Sequence, residues 1–285
     1  MTIIVGVDGS QSAMEAVVLA VREAAWRDSP LRIVHAFGWA LAPVPVGPSP
    51  EGPPDGGLRH DAERILSEAA ALAADTEPKV EVTTDLIDGV PSPVLLGCAQ
   101  SAQLVVLGSR GLGGFTGLLL GSVAVHLAAH SPVPVLVARG TMRRSGPVVV
   151  GVDGSVESAS ALEWAVREAQ LRETELVALR AWTGPQPLGP GDALPPVLDV
   201  QAAQTGEEQL LGEALEAHDG TGLQVRRMVR HDRPARALVQ LSEQAQLVVV
   251  GTRGRGGFAG LLLGSTSHQL LHHADCPVMV VPRKA

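Results

Sequence analysis

The sequence predicts an α/β protein made of two tandem copies of one domain, each built on a parallel β-sheet. Two observations support this prediction: an internal repeat, and an alternation of apolar and amphipathic stretches. In the repeat, the segment Val-Gly-Val-Asp-Gly-Ser at Val5 recurs at Val150, and an 18-residue glycine-rich segment at Val105 recurs at Val248 with 14 identical positions. In copy one, short apolar runs alternate with amphipathic stretches. Strands separated by helices favour right-handed crossovers and therefore parallel pairing.

The length of 285 residues suits two domains of ordinary size. The first repeated segment recurs after 145 residues and the second after 143, so copy two has lost two residues between them. A period this long is typical of a domain duplication and too long for a solenoid. We predict domains at 1–141 and 146–285, with the boundary inside the polar stretch 140–147.

Copy one reads in order as five strands and four helices. Each strand is a short apolar run ended by turn residues, and the strands cover 3–7, 31–37, 80–87, 104–107 and 133–137. Each helix is amphipathic, and the helices cover 12–26, 58–74, 91–100 and 122–129. Ser12 and Glu15 have the spacing of a capping box. The Pro- and Gly-rich stretch 42–57 and the glycine-rich stretch 108–121 are predicted loops.

Composition excludes several classes of function. The formal net charge is −8 and aromatic residues make up 2%, so the chain lacks the basic surface and stacking rings of general nucleic-acid binders. Two cysteines indicate neither a disulfide framework nor a zinc site. No basic leader precedes the first apolar run, and no apolar run reaches the roughly 18 residues of a membrane helix. We therefore expect a cytoplasmic protein whose partners include neither membranes nor nucleic acid.

The loop after strand four contains the residues that indicate a binding site. It has the form Gly-x-x-Gly, nine residues, Gly-Ser, and starts at Gly108 in copy one and at Gly251 in copy two. Glycines permit positive φ and close approach of a ligand, successive amides form an anion-binding nest, and a helix N-terminus attracts phosphate. The alternative is a turn whose serine only caps the next helix. Because both copies keep every motif glycine, we favour a phosphate site, although neither copy has a P-loop or a dinucleotide fingerprint.

Together with Val-Asp-Gly-Ser after strand one, this loop resembles the motif pair of the universal stress protein family, in its ATP-binding branch, over nearly the whole chain. The resemblance implies Rossmann-like open domains, each a five-stranded parallel sheet of order 3-2-1-4-5 with helices on both faces. It implies a stress-response module that binds ATP, or ADP or AMP, once per domain, with Mg²⁺ as a candidate companion. Paired domains in the family meet along strand five, so we expect an intrachain pseudo-dimer through that strand, with homo-oligomers left open.

Carried over by position, the resemblance assigns matching site residues in both copies. The strand-one turn and the end of strand two would meet adenine and ribose, the glycine loop would wrap ribose and phosphates, and the next helix would close on the phosphates. In copy one these are Gly6, Val7, Asp8, Ala36, Gly108, Ser109, Arg110, Gly111, Leu112, Gly113, Gly114, Ser122, Val123 and Ala124. In copy two they are Gly151, Val152, Asp153, Ala181, Gly251, Thr252, Arg253, Gly254, Arg255, Gly256, Gly257, Ser265, Thr266 and Ser267.

The copies differ at two positions near this predicted site. Copy two has Arg180 where copy one has His35, and it has Arg255 where copy one has Leu112. Asp8 would hold Mg²⁺ or a nucleotide hydroxyl, or would only form an Asx-type turn. The histidines show no metal-like spacing shared by both copies, so no metal site is predicted. No nucleophile–base constellation recurs, so we predict no catalytic residue. A slow ATPase or nucleotide hydrolase and an ATP-independent partner-binding scaffold are the alternatives.

Overall fold

A computed structural model describes residues 1–38, 57–111, 120–184, 199–218, 220, 222–255 and 262–283. Their contacts divide the chain into two compact units, Met1–Met142 and Arg143–Ala285, called domain 1 and domain 2 below. Apart from Gly57, the predicted loop at 42–57 lies outside the described residues.

Domain 1 alternates strands and helices in the predicted order. Its strands are β1 (Thr2–Gly6), β2 (Leu31–Phe37), β3 (Val82–Asp88), β4 (Ala102–Gly108) and β5 (Val135–Ala138). Its helices are α1 (Gln11–Trp26), α2 (Leu58–Thr76), α3 (Pro91–Ala99) and α4 (Ser122–His130). Every bound lies within two residues of the prediction.

Domain 2 repeats the same succession of elements. Its strands are β6 (Val148–Gly151), β7 (Leu176–Trp182), β8 (Val225–His231), β9 (Leu247–Gly251) and β10 (Val278–Val281). Its helices are α5 (Val156–Leu171), α6 (Val200–Glu216), α7 (Pro234–Ser242) and α8 (Ser265–His273).

The sheet of each domain is parallel and has the predicted order 3-2-1-4-5. In domain 1 the strands run β3-β2-β1-β4-β5, and Val5 of β1 lies opposite Ile33 on one side and Val106 on the other. In domain 2 they run β8-β7-β6-β9-β10. The predicted α/β fold class is therefore confirmed. Because the first and fourth strands are neighbours, the loops that follow them meet at one edge of the sheet.

Burial explains why these runs form central strands. Ile3, Ile4 and Val5 are at most 1% exposed, and successive residues of a strand face opposite sides of the sheet. Both faces of β1 are therefore covered, as expected for a parallel sheet between helices. Helix α1 packs on β1 and β4, and α3 packs on β1 and β2.

The predicted capping box at Ser12 is wrong. Helix α1 starts at Gln11, and its N-cap is Ser10, whose hydroxyl accepts a hydrogen bond from the Ala13 amide at 3.2 Å. Ser12 lies in the first turn of the helix, where its hydroxyl is 3.3 Å from that of Ser109 after β4. The first helix therefore begins beside the glycine loop.

Candidate functional site

The turn after the first strand of each domain is an Asx turn. In domain 1 the Asp8 carboxylate accepts a hydrogen bond from the Ser10 amide at 3.0 Å, and the intervening glycine has φ of +87°. In domain 2 the Asp153 carboxylate accepts from the Ser155 amide at 2.9 Å, and its glycine has φ of +79°. Such a φ favours glycine because a Cβ would crowd the backbone. The turn holds each carboxylate at the carboxyl end of its strand.

The first glycine of the loop lets the fourth strand end directly against the first helix. A Cβ on Gly108 would lie 2.6 Å from Oγ of Ser12, and a Cβ on Gly251 would lie 2.8 Å from Cβ of Glu157. Real Cβ atoms do not approach other atoms this closely, so a larger residue would push the loop away from the helix. The loop therefore starts at a fixed point beside the strand-one turn.

The second glycine of the loop touches the Asx turn itself. A Cβ on Gly111 would collide with Oδ2 of Asp8, and a Cβ on Gly254 would collide with Oδ2 of Asp153. Neither glycine has a positive φ, so the expectation of a left-handed backbone in the loop is wrong at these positions. Glycine is required there for space, because the carboxylate occupies the volume of a side chain.

The loop closes on itself before the next helix begins. The Gly121 amide donates to the carbonyl of Ser109 at 2.8 Å, and the Gly264 amide donates to Thr252 over the same distance. Both glycines are the N-caps of their helices, and neither helix has a side-chain cap. The serine after each glycine is the first helical residue, so its interpretation as a helix cap is wrong. The amides of the first helical turn have no partner within the helix and are available at the end of the loop.

Domain 2 holds a cavity of about 540 Å³ where these features meet, a volume typical of small-molecule sites. Eleven predicted site residues line it: Gly151, Val152, Asp153, Ala181, Gly251, Arg253, Gly254, Arg255, Ser265, Thr266 and Ser267. Thr252, also predicted, is buried and does not line the cavity; its amide donates to the Val281 carbonyl at 3.0 Å. The structure therefore gathers residues that are up to 116 positions apart in the sequence.

Sequence reasoning missed seven lining residues. They belong to strands, to the first turn of α5, to α7 and to the end of the loop, and are Ser158, Leu179, Pro234, Leu238, Val250, Leu263 and Gly264. One signal was available, because the pair Pro234 and Leu238 at the start of α7 recurs as Pro91 and Leu95 at the start of α3.

The Asp153 carboxylate is ionised and well satisfied. Burial opposes ionisation, but hydrogen bonds from the Ser155 hydroxyl at 2.6 Å, the Ser155 amide and the Arg255 amide at 2.9 Å outweigh it. The pKa of Asp153 therefore lies below its ordinary value. Its bond to Arg255 links the strand-one turn to the glycine loop in domain 2.

The fifth residue of the second strand differs between the domains. It is His35 in β2 and Arg180 in β7. His35 is half-buried, and burial lowers its pKa although the Val7 backbone and Asp8 oppose the shift. Arg180 is buried and forms an ion pair with Glu207 on α6.

The predicted residues of domain 1 occupy the matching elements. Gly6 ends β1, Ala36 lies next to the end of β2, and Gly108 ends β4. Val7 and Asp8 follow β1, Ser109, Arg110 and Gly111 follow β4, and Ser122, Val123 and Ala124 form the first turn of α4. Five predicted residues lie outside the described residues: Leu112, Gly113, Gly114, Gly256 and Gly257.

Among the described residues, no group of three His, Cys, Asp or Glu side chains is placed to hold a metal ion. Within the same ranges, each helix is too short or too polar to cross a membrane.

Comparisons of the sequence and of the structure with known proteins all point to the same family. The sequence profile of the universal stress protein family matches residues 1–139 and 145–282. A universal stress protein of Mycobacterium tuberculosis is 38% identical over 291 residues, which cover 98% of this chain and 96% of the relative. One from Mycolicibacterium smegmatis is 36% identical over 294 residues, covering 98% and 96%. The crystal structure of a universal stress protein from Archaeoglobus fulgidus has the same fold, with a TM-score of 0.72 at 21% identity, covering 99% of this chain and 98% of that one.

Proposed function

We propose that this chain, which belongs to the universal stress protein family, is a regulatory module that binds one adenine nucleotide in each domain. The observation that carries the proposal is the domain 2 cavity. Eleven residues that the motif resemblance assigns to the nucleotide line that one cavity, and they include Gly251, Arg253, Gly254 and Arg255 of the glycine loop. Domain 1 repeats the Asx turn, the glycine contacts and the loop closure.

The cavity offers two kinds of surface to such a ligand. Ala181, Leu238 and Val152 are apolar and suit the faces of an adenine ring. Ser265 and Thr266 begin helix α8, whose N-terminal amides and dipole attract phosphate. Arg253 adds a positive charge beside them. We therefore place the base on the apolar side, against β7 and α7, and the phosphates at the loop and the start of α8.

The cavity also suits the Mg²⁺ that accompanies ATP. Asp153 is the only carboxylate among the described lining residues, and protein sites commonly hold Mg²⁺ with one or two carboxylates plus substrate phosphates. Asp153 would supply that ligand, and the metal would offset the repulsion between the carboxylate and the phosphates.

We further propose that binding proceeds without appreciable turnover. A general base works best when its pKa lies near the working pH. The pKa of Asp153 lies below the ordinary value of a carboxyl group, and its oxygens accept hydrogen bonds from Ser155 and from the Arg255 amide. Asp153 is therefore suited to positioning the loop and poorly suited to activating water.

Calorimetric titration of nucleotide-free protein with ATP tests the binding proposal. We expect about two ATP molecules per chain, and we expect adenine nucleotide to be released on denaturing the freshly purified protein, as detected by mass spectrometry. Protein that yields no adenine nucleotide and gives no heat with ATP, ADP or AMP would contradict the proposal and would favour an ATP-independent scaffold.

A phosphate-release assay on the same sample tests the second part. We expect ATP turnover far below about 1 s⁻¹, the low end of ordinary enzymes. Turnover at or above that rate, abolished by Asp153→Asn, would instead identify domain 2 as a nucleotide hydrolase.

A further inference from the structure

We infer that the domain 2 site selects adenine nucleotides by their number of phosphates, preferring ATP over AMP more strongly than the domain 1 site does, through Arg255. This inference rests on the proposed nucleotide binding and deepens it. Both copies carry an arginine two residues after the first loop glycine, Arg110 and Arg253. Only domain 2 adds a second arginine two residues further on, where domain 1 has Leu112.

The structure puts Arg255 at the cavity and holds its backbone there. Its amide donates to Oδ2 of Asp153 at 2.9 Å, and Arg253 and Arg255 both line the cavity. Its guanidinium lies over the strand-one turn, where Nη2 donates to the Gly154 carbonyl at 3.4 Å. That bond is long, so the guanidinium gives up little when it turns toward a phosphate.

The shape of the turn makes room for this side chain. A Cβ on Gly154 would lie 2.8 Å from Nη2 of Arg255, so the absence of a side chain at Gly154 leaves space for the guanidinium. The charged group therefore lies over the turn that follows β6, at the loop that we assign to the phosphates.

Charge counting distinguishes the two sites. The domain 2 cavity brings together two guanidinium groups and one carboxylate, Asp153. At the corresponding positions of the sequence, domain 1 has one guanidinium, Arg110, and one carboxylate, Asp8. A guanidinium binds phosphate oxygens through two parallel charge-assisted hydrogen bonds. The extra arginine should therefore raise the affinity of domain 2 for nucleotides that carry more phosphates. Adenosine and its first phosphate gain less from it.

The test isolates each site within the full-length chain. The variant Gly111→Val blocks domain 1 and leaves the domain 2 site, whose affinities for ATP and AMP are then measured by calorimetry. Adding Arg255→Leu should weaken ATP binding about tenfold, the loss of one exposed charge-assisted hydrogen bond, and should change AMP binding less than about twofold. Arg255→Lys, which keeps the charge, should retain most of the preference for ATP.

The reciprocal exchange uses domain 1. In the variant Gly254→Val, which leaves only the domain 1 site, Leu112→Arg should raise the preference for ATP over AMP about tenfold. Circular dichroism on every variant confirms that the sheets remain folded.

The outcomes separate the inference from the function on which it rests. A loss of ATP affinity with AMP affinity kept supports the inference. Equal effects of Arg255→Leu on ATP and AMP, or no effect on either, overturn the inference and leave nucleotide binding in place. A wild-type chain that binds neither nucleotide in either domain overturns both.

Discussion

In domain 1, serine hydroxyl groups at the start of helix α1 hydrogen-bond to the start of the glycine loop. In domain 2, a serine hydroxyl group of helix α8 makes the corresponding hydrogen bonds. The Ser12 hydroxyl accepts from the Arg110 amide at 3.3 Å, and the Ser10 hydroxyl donates to the Arg110 carbonyl over the same distance. In domain 2, Glu157 stands at the position of Ser12. There the buried Ser267 hydroxyl donates to the carbonyls of Gly251 and Thr252, at 2.8 and 3.2 Å.

A second difference lies in the strand next to the first. His35 of domain 1 is half-buried, and its Nδ1 has no hydrogen-bond partner among the described residues. Arg180 takes this position in domain 2, where it pairs with Glu207 across the space between β7 and α6. One domain therefore keeps a titratable side chain at a place where the other keeps a permanent charge in a buried ion pair.

The comparison shows which parts of the site tolerate replacement. The Asx turn, the two close glycine contacts and the loop closure are the same in both domains, and they depend on backbone groups, on glycines and on the turn carboxylate. The side chains that support this arrangement differ from one domain to the other. We therefore expect the shared arrangement to serve the proposed nucleotide binding in both domains, and the differing side chains to adjust stability, charge and pH response separately in each domain.

The largest expected effect comes from filling the space beside the Asx carboxylate. Gly254→Val should remove the domain 2 site and Gly111→Val the domain 1 site, because the new side chain collides with Asp153 or Asp8. Calorimetric stoichiometry should fall from about two ATP per chain to about one in each single variant and to none in the double variant.

Two glycines provide the matched controls. Gly97 on α3 and Gly206 on α6 have no atom within 4 Å of the position of a Cβ, so Gly97→Val and Gly206→Val should leave both sites intact. If the wild type binds one nucleotide, and one of the loop variants has no effect, the two domains are not equivalent and the site in one of them is a structural relic.

Most of the fold could be predicted because it depends on patterns that are local or repeated. Apolar runs marked the strands, the alternation with helices indicated parallel pairing, and the duplicated loop pointed to the edge of the sheet where strands one and four end. The cap of α1 was predicted wrongly because Ser10 and Ser12 are both acceptable caps by sequence. In the structure Gly9 has a positive φ within the Asp8–Ser10 turn, and Ser10 is the N-cap.

The site was predicted less completely, for reasons of packing. Leu238 looks like any apolar helix residue, and only the tertiary arrangement decides that it lines the cavity. The bond between Asp153 and the Arg255 amide joins residues 102 positions apart, so no local pattern indicates it. The loop glycines were recognised by their repetition, although their reason at Gly111 and Gly254 is space rather than positive φ.

The second-largest effect concerns the ion pair between Arg180 and Glu207, which domain 1 lacks because it has His35 at the position of Arg180. Glu207→Ala leaves the Arg180 guanidinium, whose side chain is 7% exposed, without its partner. Removing one member of a buried pair costs about 3 kcal/mol or more, so the free energy of unfolding of domain 2 should fall by about 3 kcal/mol. Hydrogen exchange measured by mass spectrometry on peptides from β6 and β7 reports this loss separately from domain 1.

An exposed pair serves as the control for that measurement. Arg64 and Glu68 on α2 are more than half exposed, so Glu68→Ala should leave the stability of domain 1 nearly unchanged. Equal effects of Glu207→Ala and Glu68→Ala would show that the Arg180 pair is not a stabilising feature of domain 2.

A smaller effect is expected from the hydroxyl that ties α8 to β9. Ser267→Ala makes domain 2 resemble domain 1, which has Ala124 at this position, and removes the hydrogen bonds to Gly251 and Thr252. The expected loss is about 1 kcal/mol of unfolding free energy, seen as faster exchange in peptides from β9 and α8. Thr205→Ala on α6 removes an exposed hydroxyl bond and should change little; if it costs as much, the Ser267 contacts contribute nothing specific.

The smallest effect is a pH response confined to domain 1. Burial lowers the pKa of His35 in the folded state, so below the ordinary histidine pKa of about 6.5 the unfolded chain binds a proton that the folded domain resists. His35 therefore costs no stability while it is neutral in both states, and the stability of domain 1 should fall as pH drops through about 6.5.

Asp8 faces His35 and favours its protonated form, which keeps the effect small. Domain 2 has Arg180 at the same position, and Asp153, whose pKa is lowered, loses its contribution only below about pH 4, through the range where carboxyl groups take up protons. Exchange in β1 and β2 peptides, corrected for intrinsic rates, should accelerate between pH 7.5 and 5.5 more than exchange in β6 and β7. His35→Gln should remove this difference, since glutamine does not titrate. If the two domains lose protection in parallel, or if His35→Gln keeps the difference, then His35 does not distinguish the domains and their acid response has another source.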